Sequence, residues 1–298
     1  MPTRPNRSFT AHDGAGEPLN PSWTTATLAL ADGSTALLRL YRGAVAAPNG
    51  AAGLPVVLHF HGGGFVGGSL DSGATVAHVL AGHAGVVASL DYPLAPAHPF
   101  PAAVEAGYRA LQGLHRQHRR SPLFVAGEDA GGNIAAAVAM MARDRGGPPL
   151  AGQILLSPML DNCIATASQR DARDGPLGCP CADGWRAYLG CVADAMHPYA
   201  TPGTSLRLAG LPSTLLLTSL DDPLRDETLA YAARLHGAGV AAQVSVLPLT
   251  TGWPKSYPMG EVNGRPAHWI EPLRQRIQPF LMSPSLLSPS LLSAHTTL

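Results

Sequence analysis

The stretch Val125-Ala126-Gly127-Glu128-Asp129-Ala130-Gly131-Gly132-Asn133 decides how this chain folds. It joins an apolar run, Leu123 to Ala126, to an alanine-rich segment of helical composition, Asn133 to Arg143. Its glycine frame, Gly-x-Nuc-x-Gly, is that of a strand-to-helix turn that strains its central residue and packs it against neighbouring backbone. Residues two positions to either side must therefore lack a Cβ. Where such a turn presents a hydroxyl nucleophile the central residue is Ser; here it is Asp129.

Outward from the turn, apolar runs recur at Pro55–Phe60, Gly85–Leu90, Leu123–Ala126, Gln153–Leu156, Thr214–Leu217 and Gln243–Leu247. They are continuous and do not alternate, as strands buried on both faces do not. Helical patterns lie between them at Ala102–His118, Asn133–Arg143 and Glu227–Ala238, the last opening after Asp226-Glu227 and stopping at Gly239. This alternation predicts an α/β fold with a mostly parallel sheet and helices on both faces. An edge hairpin is expected around Ala31-Asp32-Gly33. Residues 1–282 read as one domain, with a cap from about 1–30 and 161–204, where Gly, Pro, Cys and Trp break the rhythm. The repeated Ser-Pro-Ser-Leu-Leu of residues 283–298 reads as a disordered tail.

With 46% hydrophobic and 13% charged residues and no net charge, the chain has no electrostatic case for nucleic acid or an anionic membrane. Neutrality also gives little protection against self-association, which leaves room for a homodimer. No apolar stretch is long enough for a membrane span and none reads as a secretory leader, so the expected location is cytoplasmic. Cys163, Cys179, Cys181 and Cys191 match no common zinc spacing and read as plain thiols; no metal and no cofactor is expected.

His61-Gly62-Gly63-Gly64-Phe65 follows the first of the long apolar runs directly. Three glycines in sequence let backbone approach a ligand and aim amides at one point, which makes an oxyanion hole completed by the amide of Ala130. Neither a dinucleotide nor a Walker spacing is present, so a phosphate loop is excluded.

Together with Asp91-Tyr92-Pro93-Leu94-Ala95-Pro96, Gly210-Leu211-Pro212 and Asp221-Asp222-Pro223-Leu224-Arg225-Asp226-Glu227, these motifs make the chain resemble the hormone-sensitive-lipase family of α/β-hydrolases over roughly Leu37 to Pro248. The resemblance implies a central, mostly parallel eight-stranded sheet, a helical cap, esterase ancestry and a small acyl or carbonyl substrate. It puts oxyanion donors at Gly63, Gly64 and Ala130, and a triad acid at Asp222. The chain departs from the family twice. Asp129 stands at the nucleophile's place, and Thr251 of Thr251-Gly252-Trp253 stands at the triad histidine's. The next histidine, His268, falls in an expected final helix and reads as a surface or packing residue.

From these departures the expected reaction is non-hydrolytic proton transfer (elimination, isomerisation or cyclisation of a small apolar carbonyl metabolite in specialised metabolism), a lyase, isomerase or cyclase activity. Asp129 would be base or acid, with Asp222 and Thr251 as a polar relay or substrate contact. Two rival readings stay open: a ligand-binding pseudo-hydrolase, and an ester or epoxide hydrolase using Asp129 as covalent nucleophile. The second of these needs a base to cleave the intermediate, from His268 or His61. His61, Phe65, Trp253, Lys255 and Tyr257 are candidate substrate contacts, although Lys255 reads more readily as a solvated loop residue. Glu128 reads as scaffold.

Overall fold

A computed structural model describes residues 12–13, 23–30, 33–43, 53–163, 165–171 and 180–283. The strands are β1 (His12–Asp13), β2 (Trp23–Ala29), β3 (Thr35–Arg42), β4 (Val56–Phe60), β5 (Val86–Leu90), β6 (Leu123–Glu128), β7 (Gly152–Leu156), β8 (Ser213–Ser219) and β9 (Ala242–Leu247). They form one sheet in the order β1-β2-β3-β5-β4-β6-β7-β8-β9. From β5 onward every pairing is parallel, whereas β1, β2 and β3 add antiparallel at one edge. The expected α/β architecture thus holds: eight full strands, extended at the edge by the two-residue β1.

The continuity of the apolar runs has the cause inferred for it. Every residue of β4, β6 and β7 is buried, because helices cover both faces there. On one face lie α1 (Ala74–Ala81) and, at the end of the chain, α7 (Ile270–Leu281). On the other lie α2 (Ala102–Gln117), α3 (Ala130–Asp144) and α6 (Arg225–Gly237). Helix α3 is the innermost, with residues 130–142 all buried, so its alanines reflect close helix–sheet approach. By contrast β3 partly alternates between exposed and buried positions, as an antiparallel strand near an edge does.

Between β7 and β8 the chain forms α4 (Ala167–Asp171), α5 (Pro180–Tyr188) and two short 3₁₀ turns at Val192–Met196 and Pro202–Thr204. A small hairpin of β10 (Glu261–Val262) and β11 (Arg265–Pro266) precedes α7. Several boundaries differ from the reading of the sequence. Trp23–Ala29, counted there with the cap, runs in the sheet, where strand pairing with β3 from Trp23↔Tyr41 to Ala29↔Thr35 outweighs any cap role. Turn residues Ala31 and Asp32, and the tail from residue 284, lie outside the described residues. His268 precedes α7 and does not lie within it. Among the described residues no helix is long and apolar enough to cross a membrane.

Because β4 is flanked by β5 and β6, the connections leaving β4 and β6 diverge to opposite faces and open a crevice at their carboxyl ends. The loops after β4, β6, β7, β8 and β9 carry His61–Phe65, Asp129, Ser157, Asp221-Asp222 and Thr251 respectively. The fold therefore delivers all these residues to one end of the sheet.

Candidate functional site

Asp129 sits at φ 55°, ψ −122°, a conformation that costs a non-glycine residue of order 1–3 kcal/mol and persists only where its surroundings enforce it. They do. A Cβ at Gly127 would overlap the Gly131 carbonyl, and one at Gly131 would overlap the carbonyls of Phe60 and His61. The Asp129 amide donates to Leu156 O at 3.0 Å, and its carbonyl accepts from Met159 N at 3.0 Å. The elbow is locked between β4, β7 and α3.

The side chain of Asp129 points into the glycine loop. Gly63 N donates to Oδ2 at 2.8 Å and Gly64 N donates to the same oxygen at 2.9 Å. The amide of Ala130 also holds the carboxylate. Two of the three expected amides, those of Gly63 and Gly64, thus converge on one place, and Asp129's own oxygen occupies it. Burial raises the Asp129 carboxyl above its ordinary range and the neighbouring Glu128 charge adds to that, against the three amides, which favour the ionised form.

Glu128 faces away from this point, as its scaffold reading requires. Its Oε1 accepts from Gly62 N at 3.2 Å and its Oε2 pairs with His59 Nε2 at 2.8 Å, while His59 Nδ1 shares a hydrogen bond with Ser89 Oγ at 2.9 Å. This buried chain ties β4, β5 and β6 beneath the glycine loop.

Asp222 is 1% exposed and carries three donors: the hydroxyls of Ser157 and Thr218 on Oδ2, and Leu224 N on Oδ1 at 2.9 Å. Burial pushes its carboxyl up to about 6 despite these bonds. Tyr257 Oη donates to Ser157 Oγ at 3.0 Å, which extends the network to the loop after β9. Thr251 is not part of it. Its hydroxyl pairs with Ser219 Oγ at 2.7 Å, and Asp221 receives Thr251 N and Gly252 N, each at 2.8 Å. The expected Asp222–Thr251 relay is therefore corrected to two separate networks, because Asp221, one residue earlier, faces the β9 loop while Asp222 turns inward.

Other expected contacts also move. The His61 ring is fully buried, stacked on Tyr92 at 4.3 Å, with Nδ1 on its neighbour's carbonyl, Gly62 O, at 2.8 Å; it supports the loop from behind and does not face a ligand. Phe65 is stacked on Tyr188 at 3.9 Å and packed on Trp185, both from α5, a contact worth about 0.5–1.5 kcal/mol beyond burial. Trp253 is buried against Tyr257 and Trp269. Lys255 is exposed and has no ion pair among the described residues. His268 is exposed, bonded through Nε2 to Thr250 O at 2.6 Å. Neither histidine considered as a recruited base reaches Asp129.

Cap helix α5 closes on the glycine loop. Gly184 is buried, and a Cβ there would overlap the carbonyl oxygen of Gly64. Gly63, by contrast, is exposed. Sequence reasoning did not find Ser157, Thr218, Ser219, Asp221 or Gly184. A polar residue at the end of an otherwise apolar strand, as at Ser157 and Ser219, was the available signal.

A parallel sheet with a strained strand-to-helix elbow facing a glycine-loop amide hole, under a helical insertion, defines an α/β-hydrolase. Residues 57–251 match the Abhydrolase_3 family, described as alpha/beta hydrolase fold, and the chain belongs to it. It is 37% identical over 206 residues to the carboxylesterase NlhH of Mycobacterium tuberculosis, covering 65% of each chain. It is 34% identical over 215 residues to the gibberellin receptor GID1A of Arabidopsis thaliana, covering 66% of this chain and 62% of that one. The chain thus spans somewhat less than two thirds of these relatives' length. Among solved structures, a bacterial heroin esterase matches with a TM-score of 0.73 and 31% identity over 88% of this chain and 85% of that one.

These relatives overturn one expectation. They are named as ester hydrolases and a receptor, and proton-transfer chemistry of the lyase, isomerase or cyclase kind finds no support among them.

Proposed function

We propose that this chain is a ligand-binding member of the esterase family, taking a small organic molecule where its relatives take an ester. In this reading Asp129 stands at the nucleophile's position and Thr251 at the histidine's. The observation that carries it is the Asp129 carboxylate seated on the Gly63 and Gly64 amides, where the oxyanion of an ester under attack would have to go. With that place filled and no imidazole hydrogen-bonded to Asp129 among the described residues, two main contributions to ester hydrolysis on this fold are missing. Asp222, freed from pairing a histidine, is held by Ser157 and Thr218 as part of the scaffold.

The names of the relatives favour a second reading, hydrolysis of carboxylic esters with Asp129 as attacker. The carboxylate would leave its amides, attack the carbonyl and release the alcohol, forming an anhydride that water cleaves. One experiment separates the two. Purified protein is incubated with p-nitrophenyl butyrate, and p-nitrophenol release is followed beside the Asp129→Ala variant. Binding without hydrolysis requires equal background rates in both. Turnover by the wild type that vanishes in the variant establishes hydrolysis and overturns the binding reading.

A further inference from the structure

We infer that the polar end of the ligand at Asp129 is a hydrogen-bond donor, a hydroxyl or a protonated amine, and not the carbonyl or carboxylate oxygen that an amide hole ordinarily receives. The inference rests on the binding reading and adds the chemistry of what is bound.

Each backbone amide has one proton to give. Those of Gly63 and Gly64 are given to Asp129 Oδ2, at 2.8 and 2.9 Å, and Ala130's amide serves the same carboxylate. A ligand oxygen entering the hole would have to displace Oδ2, which would leave a desolvated carboxylate stripped of its donors. The exchange replaces one acceptor by another and strands the first. A donor faces no such competition, because it meets the carboxylate itself. Asp129 is 6% exposed and its glycine-loop partner Gly63 is exposed, so a donor reaching the carboxylate has to approach past that loop.

The surrounding charge has the same sense. Glu128 is the next residue in the chain, and Asp222 and Glu227 lie close enough for the Asp129 charge to raise both their carboxyls. Among the described residues no arginine, lysine or histidine forms an ion pair with Asp129, and no side chain donates to it. Lys255, the single lysine of the sequence, is exposed. An anionic ligand head would meet carboxyl groups and no basic side chain paired with Asp129. A cationic or hydroxylic head supplies the donor that the protein itself does not.

The test compares four probes of one size: benzylammonium, benzyl alcohol, benzoate and phenylboronic acid. Binding to the wild-type protein is measured by calorimetric titration near neutral pH, and again with Asp129→Ser, which empties the hole and removes the charge. The expected result is benzylammonium binding at least about tenfold more tightly than benzoate or the boronic acid to the wild type. In Asp129→Ser that order reverses. Benzoate or the boronic acid binding the wild type as tightly as benzylammonium overturns the inference, as does the absence of binding by all four below about 10 mM. Because the wild-type result alone decides, a variant that fails to fold leaves the test intact. Failure of the underlying reading would appear elsewhere, as p-nitrophenol release by the wild type, so the two failures are distinct.

Discussion

Replacing Asp222 by Asn should flatten part of the pH dependence of stability, and by a calculable amount. The Asp222 carboxyl is pushed up to about 6 from an ordinary 3.8, chiefly by burial. A carboxyl raised on folding binds its proton more tightly in the native chain than in the unfolded one. Its favourable contribution is therefore complete below the unfolded value and is lost as pH rises through the native one. With those two values, linkage gives a loss on the order of 1 kcal/mol from this group between pH 5 and pH 8. Asp222→Asn keeps the shape and a partner for the Ser157 and Thr218 hydroxyls but cannot titrate. Burial also raises Asp129 and Glu227; the Asp222 charge adds to the rise at Glu227, so the variant relieves part of that as well, and the difference reports Asp222 together with its coupling to Glu227. Urea unfolding of the two proteins at pH 5 and pH 8 gives the stability gap at each pH. The gap should move by on the order of 1 kcal/mol in favour of the variant at the higher pH. Parallel behaviour of the two proteins, or movement in the opposite direction, would refute the claim that Asp222 is a desolvated, easily protonated acid.

Three further outcomes follow from the site. The double variant Asp129→Ser, Thr251→His should hydrolyse p-nitrophenyl butyrate faster than the wild type, and each single variant far less, since such groups act as a unit; a folded, inert double variant would contradict the proposed correspondence of these positions. Gly184→Ala should destabilise the protein by about 1–3 kcal/mol through overlap with the Gly64 carbonyl, seen as a lower urea midpoint and faster cleavage of the cap by protease. Tyr257→Phe removes the donor to Ser157 Oγ and should cost about 0.5–1.5 kcal/mol, whereas Lys255→Ala, at an exposed position, should change the urea midpoint by less than about 0.5 kcal/mol.

The core of the fold was legible because its signals are local. Continuous apolar runs mark β4, β6, β7 and β8, and glycines at 127 and 131 mark the elbow, since each requirement is set by immediate neighbours. The convergence of the Gly63 and Gly64 amides was legible for the same reason. What they converge on was not. Whether Asp129 turns its carboxylate toward the ligand or back onto those amides is a choice of side-chain torsion, and residue order carries no trace of it. The choice between Asp221 and Asp222 as partner of the β9 loop is a one-residue question at the end of β8, where strand register and not composition decides. His61 misled for a different reason. It lies next to the glycines in sequence, yet its side chain is carried to the opposite side of the backbone, onto Tyr92.

The seating of Asp129 also governs which reagents can find this protein. Fluorophosphonate probes, used to tag serine hydrolases in whole proteomes, need an activated hydroxyl at the elbow and free amides to hold the phosphoryl oxygen. Here the hydroxyl is absent and Oδ2 of Asp129 already holds the Gly63 and Gly64 amides. A survey built on such probes would pass over this chain even where it is abundant. Its near relatives would light up beside it. Carboxylate-directed reagents carrying an amine head are the ones matched to what this elbow presents.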